Sequence, residues 1–171
     1  WDPGTGTVNP VSELNDVSSF HVYENTYVYN NATYVSTFSQ YLADKRTEYS
    51  SGSKKGWYVT LSGGERSLHK PTILGGVVLF PTFQPTADVC GFGGTSYLYA
   101  PYYETGTAYE EPVIGYGTGT IQIDTDTYRE IARKTTLGSG MPTQAVIHSG
   151  QEEGVMSLIQ LGTGVIIQLE V

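Results

Sequence analysis

The sequence predicts a mainly β protein whose antiparallel sheets form an arc of a β-propeller. Residues that turn sharply and residues that fill a pleated surface are both abundant, with 21 Gly and 14 Tyr among 171 residues. Short apolar runs alternate with glycine-bearing turns at a spacing that leaves no room for helical crossovers between parallel strands. A motif also recurs. An aromatic residue, a nearby acid and Thr-Gly-Thr occur at Trp1 to Thr7 and again at Tyr102 to Thr107, an offset of about 100 residues that matches two propeller blades of roughly 40 to 50. The chain supplies about three blades, four at most, and a closed propeller takes at least four. The expectation is therefore an arc of a larger propeller or a smaller β structure of its own.

The elements are read in order. Pro3, Gly4, Gly6, Asn9 and Pro10 predict an irregular N-terminal arm over 1–19. A hairpin follows, with strands at Phe20 to Glu24 and Thr26 to Asn30. Val35, Phe38, Tyr41 and Leu42 recur at spacings near three and four, which predicts one short helix near 33–44. The polar, Ser-rich stretch Lys45 to Lys55 reads as a surface loop. Trp57 to Leu61 alternates as a half-buried strand. Gly75-Gly76 between Thr72-Ile73-Leu74 and Val77 to Phe80 is the clearest hairpin, because paired glycines take the positive φ of a tight turn. A loop over Gln84 to Gly94 leads to a strand at Ser96 to Ala100. Further strands are expected at Gly115 to Asp124 and Arg129 to Thr136. The meander Gln144 to His148, Val155 to Gln160 and Val165 to Val171 closes the series. The length suits one domain, with the arm at 1–19 and a β-blade region over 20–171.

Charge narrows the classes of function. The chain carries 9 Lys and Arg against 17 Asp and Glu, a formal net charge of -8, without a basic stripe that would gather phosphates, so nucleic acid is excluded as a partner. No stretch approaches the roughly 18 apolar residues needed to cross a bilayer. Trp1 at the start predicts a processed product or a fragment. Cys90, the lone cysteine, reads as a small buried hydrophobe, with a disulfide to a partner chain and a reactive thiol as the alternatives.

Catalytic chemistry finds little support. Nucleophilic catalysis requires a Ser or Cys beside a His that takes its proton, yet His21, His69 and His148 lie in no nucleophile motif, and Gly138-Ser139-Gly140 lacks the spacing of a nucleophile elbow. The expectation is a protein that is not an enzyme and carries no cofactor. Asp124 and Asp126 place carboxylates at alternate positions, as the first two ligands of a calcium loop would stand. Thr127-Tyr128-Arg129 then lacks the next oxygen ligand and the glycine turn, so a plain turn competes with a calcium site. Gly91 to Thr95 lacks the Lys and the helix of a phosphate loop, and Glu152 and Glu153 read as solvated neighbours. Asn31-Ala32-Thr33 has the form of a glycosylation sequon. Tyr97, Tyr99, Tyr102 and Tyr103 are candidates for an adhesive face, since Tyr brings large contact area at low entropic cost.

Several stretches together resemble one family. Gly56-Trp57-Tyr58, Gly63-Gly64-Glu65-Arg66, the run Pro71 to Thr86, Cys90 to Tyr99, Thr105-Gly106-Thr107, Ala132 to Met141 and Thr163 to Gln168 occur in an order similar to that of the C-terminal β-propeller of the PilY family. These are type IV pilus assembly proteins and tip-associated adhesins, and the likeness spans approximately Asp16 to Val171. The resemblance implies a secreted, extracellular module of the fimbrium that works in pilus assembly and cell adhesion. Its implied partners are pilins or other tip proteins, the remainder of the propeller, or neighbouring copies of itself. Of the family's calcium loop only Asp124 and Asp126 match, and the N-terminal adhesive module has no counterpart here. The competing expectation is a processed fragment that forms or decorates an extracellular filament by donating a strand from the arm.

Overall fold

A computed structural model describes residues 9–86, 93–150 and 154–170. The chain enters through one helical turn, α1 (Pro10–Glu13), and a two-residue strand, β1 (Asn15–Asp16). The hairpin β2 (Phe20–Tyr23) and β3 (Tyr27–Asn30) follows, then β4 (Thr33–Thr37), which runs directly into α2 (Phe38–Ser50). Short strands β5 (Trp57–Tyr58), β6 (Arg66–Ser67) and β7 (Thr72–Leu74) precede the long β8 (Val77–Pro85) and β9 (Gly94–Tyr99). The rest is β10 (Tyr116–Ile123), β11 (Asp126–Ile131), β12 (Lys134–Ser139), β13 (Val146–Gly150), β14 (Gly154–Gln160) and β15 (Ile166–Glu170).

The strands gather into separate sheets. The first has the order β10-β11-β2-β3-β4, the second β12-β9-β8-β6 with β7 also on β8, and the third is the meander β13-β14-β15. All of these pairings are antiparallel. The exception to the expected antiparallel pattern is β1, which pairs in parallel with β5. The first two sheets are interleaved along the chain, since β9 belongs to the second, β10 and β11 to the first, and β12 to the second again. Among the described residues no sheet closes into a barrel and no ring of blades closes into a propeller. No described helix is long and apolar enough to cross a membrane.

Several expectations need correction. The helix expected near 33–44 is present but shifted, spanning Phe38–Ser50. Thr33, Val35 and Thr37 are β-branched and extend the sheet instead, and the Thr37 hydroxyl caps the helix by accepting from the Gln40 amide at 3.5 Å. Val35 stands at a register shift in β4 and is 42% exposed rather than on the helix's inner face. The expected loop from Lys45 begins as helix because its polar side chains pair along the surface, Gln40 with Asp44 and Lys45 with Glu48. The arm is not wholly irregular: it contains α1, and the Asn15 and Val17 amides bond to the carbonyls of Gly56 and Tyr58. The strand expected from Trp57 to Leu61 stops at Tyr58. The one expected from Arg129 to Thr136 is two strands in different sheets, broken at Ala132-Arg133.

Arg133 marks that break for a physical reason. Its guanidinium donates to the carbonyls of Val17 at 2.7 Å, Gly106 at 3.2 Å and Ser18 at 3.1 Å, joining the arm, the Thr105-Gly106-Thr107 loop and the crossing between sheets. Burial lowers its pKa, against the favourable fields of Tyr99 and Glu130. Gly106 has a φ of 72° and lies under the Trp57 ring, where a Cβ would collide. The Trp57 indole also donates to the Tyr103 carbonyl at 2.7 Å. One core packs Val22, Val28 and Ile131 against Phe38 and Tyr41 of α2, and a second gathers Val77, Leu79, Leu98 and Ile159. Gly75 and Gly76 take φ of 57° and 83° in the expected hairpin.

Candidate functional site

Alternation along the first sheet sorts its side chains into two faces. Phe20, Val22, Val28 and Ile131 point toward α2 and the core. Tyr23, Tyr27, Tyr29, Tyr34 and Tyr128 share the opposite face. The register places them together, with Tyr23 opposite Tyr27 and Tyr29 opposite Tyr34. Their rings meet edge to face: Tyr23 and Tyr29 at 5.6 Å, Tyr29 and Tyr34 at 5.5 Å, Tyr27 and Tyr128 at 5.2 Å between centroids. Such pairs contribute about 0.5 to 1.5 kcal/mol each beyond their buried area, so the array holds its shape before any partner arrives. Tyr34 is 50% exposed, while Tyr23 is covered by its neighbours, and that burial pushes its hydroxyl pKa up.

His21 and Glu130 belong to the same face, His21 opposite Tyr29 and Glu130 opposite Tyr23. The His21 Nδ1 lies 2.7 Å from the Glu130 Oε1. This contact is the largest influence lowering the Glu130 pKa, with a bond from the Gly119 amide adding to it against the opposing effect of burial. The glycines of β10 make room for this carboxylate. A Cβ at Gly117 would press on Glu130 at 3.2 Å, and one at Gly119 would collide with Oε2.

The pair opens onto a cleft of about 420 Å³. Gly117, Thr118 and Tyr116 form one wall, and Arg133, Lys134 and Thr136 another. The Lys134 ammonium bonds to Glu65 at 2.7 Å and lies 3.8 Å from the centre of the Tyr97 ring. Burial opposes its charge, but the bonds to Glu65 and Tyr99 outweigh that and raise its pKa. On the rim, the Arg129 guanidinium stacks 3.7 Å from the centre of Tyr116 and is held by Glu24 at 2.7 Å.

The residues singled out in the sequence fall elsewhere. Asp124 occupies the turn between β10 and β11 with a φ of 55°, and Asp126 is the first paired residue of β11. Both are exposed, and among the described residues no group of three or more His, Cys, Asp or Glu is placed to hold a metal. Of the four tyrosines expected on an adhesive face, Tyr99 is buried and stacks on Phe80, Tyr97 carries Lys134, and Tyr102 packs on Phe38 and Tyr109. Only Tyr103, at 49%, is strongly exposed. The three histidines are dispersed, with His69 bonded to the Pro142 carbonyl at 2.9 Å and His148 on β13. Cys90, Glu152, Glu153 and the first Thr-Gly-Thr repeat lie outside the described residues. The outward array was overlooked, although its signal is present: Tyr27 and Tyr29 alternate with Val28 in a segment read as a hairpin.

No protein-family model matches the sequence, and no curated protein or solved structure matches the chain. The tyrosine face, the His21–Glu130 pair and the cleft beside them are therefore interpreted from their own geometry.

Proposed function

We propose that this chain is a non-catalytic binding module of a secreted type IV pilus assembly or tip protein, and that it engages pilins or a surface through the tyrosine face of its first sheet. The observation that supports binding is the outward tyrosine array, packed edge to face on a rigid sheet and half exposed at Tyr34. Rigid amphipathic rings lose little entropy on contact and suit recognition. The pilus context rests on the motif resemblance. The matched motifs serve the scaffold: Gly75-Gly76 turns a hairpin, Gly106 supports Trp57, and Arg133 joins the sheets.

The propeller belongs to the same proposal. The three-stranded meander β13-β14-β15 would supply part of a four-stranded blade, and further blades would come from the remainder of a longer chain. Val146, Val165 and Ile166, exposed by 59%, 53% and 65%, are the apolar side chains such neighbours would cover.

The test is attachment to purified type IV pili and to pilus-binding surfaces. Tyr29→Ala with Tyr34→Ala is expected to reduce attachment at least tenfold with secondary structure unchanged. Undiminished attachment refutes the proposed contact face. A second reading, a subunit that joins or decorates an extracellular filament, is favoured by the one-sided pairing of β15, an edge strand like β4, β6, β10, β12 and β13. Light scattering separates the two: fibres support the filament, and a stable monomer opposes it.

A further inference from the structure

We infer that the cleft beside His21 and Glu130 binds the terminal unit of a neutral oligosaccharide whose following units lie along the tyrosine face. This inference names the ligand class for the contact face proposed above and rests on that reading. Its first support is size and shape. The cleft's volume of about 420 Å³ lies within the roughly 300 to 1,000 Å³ of small-ligand sites. It borders the tyrosine-bearing face through His21 and Glu130, which line the cleft and stand opposite Tyr29 and Tyr23 in the sheet, while Phe20, Val22, Ala108 and Ile131 line its apolar side. A linear ligand leaving the cleft past His21 and Glu130 would meet the rings of Tyr23 and Tyr29.

The second support is charge. Each ionic group at the cleft is already engaged: Lys134 by Glu65, Arg133 by three backbone carbonyls, and Glu130 by His21 and the Gly119 amide. An ionic ligand would lose its hydration and find the donors of Lys134 and Arg133 and the Glu130 carboxylate already hydrogen-bonded within the protein. A neutral polyhydroxyl ligand needs neutral donors and acceptors, and Thr118 and Thr136 are among the residues that line the cleft. Sugar rings also present apolar C–H faces, for which the outward tyrosines, with Tyr34 50% exposed, are suitable platforms.

The experiment is amide-resolved NMR titration of the 171-residue chain with cellotetraose, maltotetraose, chitotetraose and lacto-N-tetraose, with a heparin-derived tetrasaccharide as the anionic comparison. At least one neutral tetrasaccharide is expected to shift the amides of Gly117 to Gly119 and Glu130 to Thr136. Thr118→Trp fills the cleft from an exposed position and is expected to weaken binding at least tenfold at an unchanged melting temperature, and Glu130→Gln should do the same. Should Glu130→Gln lower the melting temperature, Thr118→Trp alone decides. Absence of shifts with every neutral sugar, binding that survives Thr118→Trp, or binding of the anionic sugar alone overturns the inference. Loss of pilus or surface attachment in the Tyr29 and Tyr34 variants without competition by any neutral sugar refutes the ligand and leaves the contact face standing. Sugar binding with attachment unaffected by those variants refutes the contact face instead.

Discussion

Two regions of this molecule are equally conspicuous for tyrosine, and they use it in opposite ways. On the first sheet, Tyr23, Tyr27, Tyr29, Tyr34 and Tyr128 crowd one face because Val22, Val28 and Ile131 fill the other. Around β9 the rings turn inward. Both faces of that strand are covered, Leu98 packing with Val77, Leu79 and Ile159 and Tyr99 lying against Phe80 and Lys134, so the two are 0% and 5% exposed. Beyond β9 the chain folds back, and Tyr102 becomes a wall of the core beside Phe38. The abundance of an aromatic residue therefore says little about contact surfaces. What packs against each face of its strand decides.

That contrast can be broken or sharpened by substitution. The largest effect is expected where the two regions join. Arg133→Ala leaves the carbonyls of Ser18 and Gly106 without their donor and that of Val17 with the Phe20 amide alone, a loss of about 4 kcal/mol at one to three per buried group, measured by urea denaturation. Tyr99→Ala should cost about 3 kcal/mol, as for a large buried aromatic, which lowers the melting midpoint by roughly 6 to 12 °C in a chain of this size. Tyr34→Ala should cost only about 1 kcal/mol, the value of its ring contacts, yet weaken attachment. Equal costs at Tyr34 and Tyr99 would erase the distinction.

Acid is the smallest lever. Glu104 is held down to about 2 chiefly by the bidentate Arg46 guanidinium, at 2.5 and 2.8 Å, against the opposing effect of burial. A carboxylate whose folded pKa is depressed stabilises the fold above its ordinary pKa of 4.5, and that contribution is lost as pH falls toward about 2. A small fall in thermal stability is expected across that window. Glu104→Gln should flatten it, as read by calorimetry at stepped pH.

Local patterns were legible wherever neighbours in sequence are neighbours in space. The hairpin at Gly75-Gly76, the β2–β3 pair and the terminal meander all follow from turn chemistry and alternation over a few residues. The helix was legible in kind but not in place, because Val35 sits near helical spacing while Thr33 and Thr37 favour a strand, and pairing with β3 decided the matter. The candidate site depends on longer-range facts. His21 meets Glu130 across 109 positions, and nothing local announces that β11 docks on β2. Likewise the Gly117-x-Gly119 spacing reads as an ordinary strand until the Glu130 carboxylate is seen to occupy the missing side chains' space.

The alternation of β9 to β12 between two sheets has a consequence for how the chain is made. A ribosome or a secretion channel delivers residues in order, so β2 emerges long before β11, the strand that flanks it. Until then the early hairpin cannot complete its sheet, and its valines and tyrosines stay available to wrong neighbours. Contacts between such distant segments slow folding and leave unpaired edges exposed to aggregation. Truncations ending before β11 should accumulate as aggregates, whereas the last three strands, contiguous in sequence, can assemble as soon as they are released.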